Sequence, residues 1–275
     1  ERKEKIFLLL PPALIIFQLK QNWVHMIWSS SIQFVCALCF SGWAFYFLGK
    51  NSQKYFYSAV FFALCALFTQ GSGVATLIAG GVILIAQKRF KLAGVLLVGA
   101  LPLLAFYFKN FGYNTSYVVS SFSDIERVVR FYVSFLGSSA SFEFEHRIRL
   151  FSLGAVIIGY FSFLLRKKYY MINPTVFGFM IYVFIVAAMV ALHRSGMGEN
   201  AVFANRYKIY SLTMLVLVYI SVIDLFYLKT NRKWVFMAGM IFVTGFMYLV
   251  SYEGGKEKLQ FVKYSQVYRI NQWLD

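Results

Sequence analysis

The side chains with the most chemistry to offer lie where apolar segments begin or end. Asn205, Arg206 and Tyr207 stand together at the head of one such segment, and Arg194 closes the segment before it. A guanidinium presents a planar fork of donors that matches phosphate oxygens bidentately. Two arginines bracketing a short polar stretch therefore point to an anion, a phosphate or a lipid headgroup. Trp28 and Gln33 gather at the start of an earlier segment with Trp23 and His25. Trp23 suits an interfacial anchor, whereas an amide just inside an apolar segment needs hydrogen-bond partners. Gln70 and Ser72 form a third group, in the small-residue turn Thr69-Gln70-Gly71-Ser72-Gly73. The expected substrate-binding set is thus Arg206, Tyr207, Asn205, Arg194, Gln33, Trp28, Gln70 and Ser72. Arg206 is expected to meet Gln33 or Gln70 in one cavity.

Other chemistries lack their parts. Cys36 and Cys39 have redox or zinc spacing but sit inside an apolar segment without a second pair, and Cys65 is similarly embedded. His25, His146 and His193 have no metal-ligand spacing, so no metal and no cofactor are assigned. Gly71-Ser72-Gly73 lacks the lysine of a phosphate loop, and there is no dinucleotide fingerprint. Among the acidic residues only Asp224 falls within an apolar segment, close to Lys229, where a carboxylate beside a basic loop is the simple reading.

The elements that position these groups are set by composition. The chain is 60% hydrophobic, 20% aromatic and 14% charged, too apolar to cover a soluble surface of its size. Its net charge of +16 forms no basic stripe on a soluble face, which argues against a nucleic-acid partner. Instead Lys50 and Lys54, then Lys88, Arg89 and Lys91, then Arg166, Lys167 and Lys168, then Lys229, Arg232 and Lys233 occupy four short loops without an acid; these are eleven of the 27 basic residues. Positive charge in short loops marks the cytoplasmic side of a multi-pass protein. Nine spans follow, near 6–18, 32–48, 55–70, 73–87, 92–108, 150–165, 174–192, 209–228 and 235–250, continuously apolar and hence helical. The expectation is an all-α transmembrane helix bundle, one membrane domain over 1–275. Its N-terminus lies inside, its C-terminal tail from Ser251 lies outside, and its working face is outside.

The long outer connection, Lys109 to Arg149, carries Ser123-Asp124-Ile125-Glu126, a capping-box pattern. A helix is expected from there to Gly137, its apolar face formed by Ile125, Val128, Val129, Tyr132 and Leu136, lying along the membrane surface. The opening Glu1-Arg2-Lys3-Glu4-Lys5 runs into an apolar stretch without a signal-peptide cleavage site, so the chain reads as the C-terminal portion of a longer polytopic protein.

Taken in succession, Trp28 with Gln33-Phe34, then Phe68-Thr69-Gln70-Gly71-Ser72-Gly73, then Phe203-Ala204-Asn205-Arg206-Tyr207 resemble a group of uncharacterised bacterial polytopic membrane proteins. Asn205 stands where that group commonly has Ser. The arrangement also resembles membrane glycosyltransferases of the GT-C class. That resemblance implies outer-leaflet chemistry on a polyprenyl-phosphate-linked sugar, for surface polysaccharide biosynthesis or glycan modification, with membrane lipid as the surrounding partner. It further implies an Asp or Glu in the first outer loop. Residues 19–31 contain neither, and Asp124 and Glu126 are accounted for by helix capping, so the catalytic residue is unknown. A lipid-linked saccharide transporter or a non-enzymatic membrane scaffold is the alternative.

Overall fold

A computed structural model describes residues 2–27, 31–50, 52–109, 122–141, 147–197, 204–227 and 233–274. Twelve α-helices occur among them: α1 Arg2–Ile16, α2 Leu19–Ile27, α3 Ile32–Gly49, α4 Gln53–Thr69, α5 Val74–Ala86, α6 Phe90–Phe108, α7 Phe122–Leu136, α8 Arg147–Arg166, α9 Tyr169–Ile172, α10 Pro174–Arg194, α11 Asn205–Leu225 and α12 Lys233–Leu274. The described residues contain no strand. A lipid-soluble helix satisfies its own backbone groups internally, which is why continuous apolar runs take this form.

All nine apolar segments coincide with helices. Five stretches are long and apolar enough to cross a membrane: Ile32–Gly49, Arg147–Arg166, Pro174–Met197, Arg206–Leu225 and Lys233–Ser265. The apolar stretches Phe7–Ile16, Gly71–Ala86 and Phe90–Phe106 are shorter. Burial ranks them. The apolar window of α11 is 56% buried and that of α12 only 17%, so α11 is the axis of the bundle and α12 a peripheral stave against α1 and α2.

Contacts assign the connections to two ends. Arg89 Nη1 donates to the Leu48 carbonyl at 3.1 Å, joining two of the basic turns. Thr175 Oγ1 donates to the Phe45 carbonyl, adding the start of α10. There Pro174 occupies the first helical position and Asn173 Oδ1 caps the Val176 amide at 3.1 Å. Asp224 belongs to this basic end too. Its carboxylate accepts from the Tyr169 hydroxyl at 2.5 Å and from Asn173 Nδ2 at 2.9 Å, so it ties α9 and the α10 cap to α11. Lys229 lies outside the described residues.

Three expectations change. Residues 19–27, read as loop, form α2, because a short amphipathic helix can pack under the bundle end without meeting the length needed to span. The tail after Ser251 is not separate from the last span: α12 runs unbroken for 42 residues, about 63 Å at 1.5 Å per residue. The surface helix is present as α7 and stops before Gly137, but its second half is buried in the bundle. Ile125 and Val129 are exposed, while Phe131, Val133, Phe135 and Leu136 are buried. Its second half packs between α8 and α10. Gly154 allows that approach, since a Cβ on it would stand 1.9 Å from the Val133 carbonyl oxygen.

Candidate functional site

The end opposite the basic turns collects the expected polar groups. Tyr207, in the first turn of α11, is the pivot. The Arg206 guanidinium lies 5.1 Å and that of Arg194 5.7 Å from its ring centroid. Cation–π attraction, about 0.5–1 kcal/mol each at exposed sites, holds both guanidiniums to the one ring. Among the described residues the two ion pairs are Arg127 with Asp124 and Arg130 with Glu126, both within α7. The paired guanidiniums of Arg194 and Arg206 therefore form a local excess of positive charge.

Beneath them lies an aromatic floor. Phe34 stands edge-on to Tyr207 at 5.9 Å and to Tyr210 at 6.4 Å, and Phe135 of α7 closes the far side of both tyrosines. His25 of α2 packs edge-on to Phe34 at 5.9 Å, with Nδ1 donating to the Ser31 carbonyl at 3.2 Å. Burial lowers its pKa below the ordinary 6.5, against the opposing pull of its hydrogen bond to the Ser31 carbonyl. The imidazole is therefore neutral at pH 7 and adds no third charge beside the arginines.

A groove of about 680 Å³ lies along α3 and α11, with Phe179 of α10 also lining it. Val35, Leu38, Cys39, Gly42, Trp43 and Tyr46 of α3 form one wall at helical spacing, and Ile209 and Thr213 of α11 form the other. Ile16, at the end of α1, closes the upper rim. The wall of α3 spans eleven residue steps, about 16 Å. Arg206, Ile209 and Thr213 follow the i, i+3, i+7 spacing of one helix face, so Arg206 stands one turn above the groove on its own lining stripe.

Gln70 and Ser72 occupy a neighbouring, more enclosed position. Ser72 Oγ donates to Gln70 Oε1 at 2.9 Å and accepts from the Tyr210 hydroxyl at 3.0 Å and the Tyr182 hydroxyl at 3.3 Å. Tyr210 also lies 3.1 Å from Gln70 Oε1. Ser41 and Thr76 hydroxyls continue the polar contacts at 2.7 Å from one another. The turn itself is a tight 3-10 hairpin over Gly71–Gly73, and a Cβ at Gly73 would meet the Ala66 backbone at 2.2 Å. The glycine is required by that close approach, and the polar pair beside it serves to lock α4 and α5 to α10 and α11.

The structure thus brings Arg194, Arg206 and Tyr207 together and places Gln70 and Ser72 against Tyr210, one turn along α11. Gln33 neighbours Phe34 in a helix, about 100° around the axis, and its side chain is exposed. Asn205 opens α11, but its side chain, like Trp28, lies outside what is described. Sequence reading missed Tyr182 and Tyr210, and it named His25 and Phe34 beside Trp28 and Gln33 without giving them a place in the binding set. The tyrosines carried a legible signal: a hydroxyl inside an apolar helix has to find a polar partner. Among the described residues no group of three or more His, Cys, Asp or Glu could hold a metal ion.

Comparison with protein-family models, curated proteins and solved structures gives no match. The functional reading rests on the geometry above.

Proposed function

We propose that this chain is a multi-pass protein of a bacterial inner membrane that acts at the outer leaflet on a polyprenyl-phosphate-linked sugar, as a glycosyltransferase-like protein in surface glycan assembly or modification. The basic turns then face the cytoplasm, as the retention of positive loops requires, and all nine apolar helices cross. The observation that supports this reading is the register of α11: Arg206 precedes Ile209 and Thr213, which line the apolar groove, on one helix face. An isoprenoid chain lies against the α3 and α11 walls, its phosphate meets Arg206 and Arg194, and the sugar projects toward the end of the bundle. In transfer, the guanidiniums hold the departing phosphate as its charge develops. A carboxylate activates the acceptor hydroxyl; no residue of this chain is assigned that role.

The test is genetic and chemical together. Deletion abolishes a sugar modification of the cell-surface glycan, the intact gene restores it, and Arg206→Gln at wild-type membrane level does not. Unchanged surface glycan in the deletion strain, with the purified protein moving a sugar-lipid between leaflets of a vesicle, would instead make it a transporter. Unchanged glycan without such movement would leave a scaffold.

A further inference from the structure

The inward face of α2 carries an unusual set of side chains. Gln18, Gln21, Asn22 and His25 follow the i, i+3, i+4, i+7 spacing of one helix face. Gln18 enters that register because its carbonyl accepts from the amides of Gln21 and Asn22. Both glutamines are fully buried and Asn22 is 5% exposed. Part of the set is structural. Gln21 Nε2 donates to the carbonyls of Ser139 and Ser141 at 3.2 and 3.0 Å, and Asn22 Nδ2 donates to the Ile16 carbonyl.

What remains on and beside this face is a group of buried atoms without partners: both polar atoms of Gln18, Gln21 Oε1, Asn22 Oδ1, His25 Nε2 and Ser138 Oγ. Elsewhere in this bundle comparable groups are matched, as at Asn173 and Gln70. Buried polar atoms are paired as a rule, and an exception calls for a ligand or water. The composition of the set selects the ligand. Three amide oxygens accept, and the Gln18 amide and Ser138 hydroxyl donate. A phosphate, which only accepts, would face three carbonyl oxygens. A cation would meet the amide donor without a carboxylate to balance it. Hydroxyl groups, each both donor and acceptor, fit the whole set.

Position agrees. Asn22 is held to Ile16, which rims the groove, and His25, about 6 Å further along α2 from Gln21, packs on Phe34 beside Tyr207. We infer that the α2 amide face, which packs against α11, is a binding site for the hydroxyls of an uncharged sugar. The identity of that sugar as the lipid-linked one rests on the function proposed above.

Gln18→Met tests it, since methionine keeps the shape and removes the amide. Purified protein is titrated with decaprenyl phosphate and with the same lipid carrying glucose, galactose, mannose or N-acetylglucosamine. Wild type binds at least one sugar-lipid about tenfold tighter than the bare phosphate, and Gln18→Met removes that difference while leaving the bare lipid's affinity unchanged. Without ligand, Gln18→Met melts about 2–4 °C higher, because an amide kept for a ligand costs stability when empty. Gln21→Met, which breaks two structural bonds, melts lower. A fall in the melting temperature of Gln18→Met would overturn the inference, as would equal affinity of all five lipids for wild type; the second result leaves the lipid-phosphate reading standing. If no lipid binds, that reading falls. The amide face is then judged on the methyl glycosides of the four sugars, and their failure to raise the melting temperature of wild type overturns it.

Discussion

Replacing Ser72 by alanine removes the node of the embedded hydroxyl network, and the structure sets the size of the loss. Ser72 takes part in three hydrogen bonds: one donated to Gln70 and two accepted, from Tyr182 and Tyr210. Tyr210 has a second acceptor in Gln70 Oε1 at 3.1 Å and can turn to it, so the net loss is two bonds. Side-chain hydrogen bonds between membrane helices average about 0.6 kcal/mol, giving a cost of about 1.2 kcal/mol for Ser72→Ala. Tyr182→Phe removes one bond and costs about 0.6 kcal/mol. In the double variant the Tyr182 bond cannot be lost twice, so the two costs fall short of adding by about 0.6 kcal/mol. Thermal unfolding in detergent reads this as a drop of about 2–5 °C for Ser72→Ala and little further drop in the double variant. Strict additivity, or a Ser72→Ala protein that melts with wild type, would refute the network as the lock between α4–α5 and α10–α11.

His25 gives a pH dependence with a definite sign. Burial lowers its folded pKa, so the unfolded chain binds the proton more readily, and stability is complete above about pH 6.5 and is lost as the pH falls toward the lowered value. His25→Gln should melt with a shallower pH dependence than wild type between pH 8 and 5; identical slopes would show that His25 does not titrate in a buried setting. At the α7–α8 crossing, Gly154→Ala forces a methyl into the Val133 carbonyl and should cost about 3 kcal/mol or more, whereas Gly159→Ala, with open space around it, should be neutral or slightly stabilising. Equal melting of these two variants would contradict the close crossing. With the native cysteines removed, a cysteine at Gln53 should resist an impermeant thiol reagent added to intact cells and one at Glu257 should react. The reverse pattern would invert the proposed orientation.

Legibility in the sequence followed the physics of each segment. Helix positions were readable because the apolar runs are continuous and the basic clusters interrupt them; α7 was readable from the Ser123–Glu126 pattern and the stop at Gly137, and it begins one residue earlier, at Phe122. The tight turn at Gly71–Gly73 was readable because too few residues lie between Lys54 and Lys88 for two long spans and a loop. The α2 helix was not, since Lys20, Gln21, Asn22 and His25 look like a solvated connection until α11, α12 and Ser138–Ser141 are seen packed over it. The spacing of Gln18, Gln21, Asn22 and His25 was the available sign. At the site, Arg206 and Tyr207 were visible as neighbours in the chain, and Arg194 as a cation across the same polar stretch. Their convergence on one ring depends on α10 and α11 meeting at the same height, which no local pattern encodes. The groove was hidden for the same reason: its α3 wall, Val35 to Tyr46, looks in sequence like any lipid-facing stripe.

The central claim is that Arg206 reads a phosphate at the end of an apolar groove, and binding of two lipids that differ only in that phosphate tests it most directly. Purified wild-type protein should bind polyprenyl phosphate at least about tenfold more tightly than polyprenol, a difference of about 1.4 kcal/mol and within reach of one charge-assisted hydrogen bond. Arg206→Lys should remove most of that difference, because the ammonium keeps the charge but loses the planar fork, while polyprenol affinity stays unchanged. Equal binding of the two lipids by wild type, or an undiminished preference in Arg206→Lys, would contradict it.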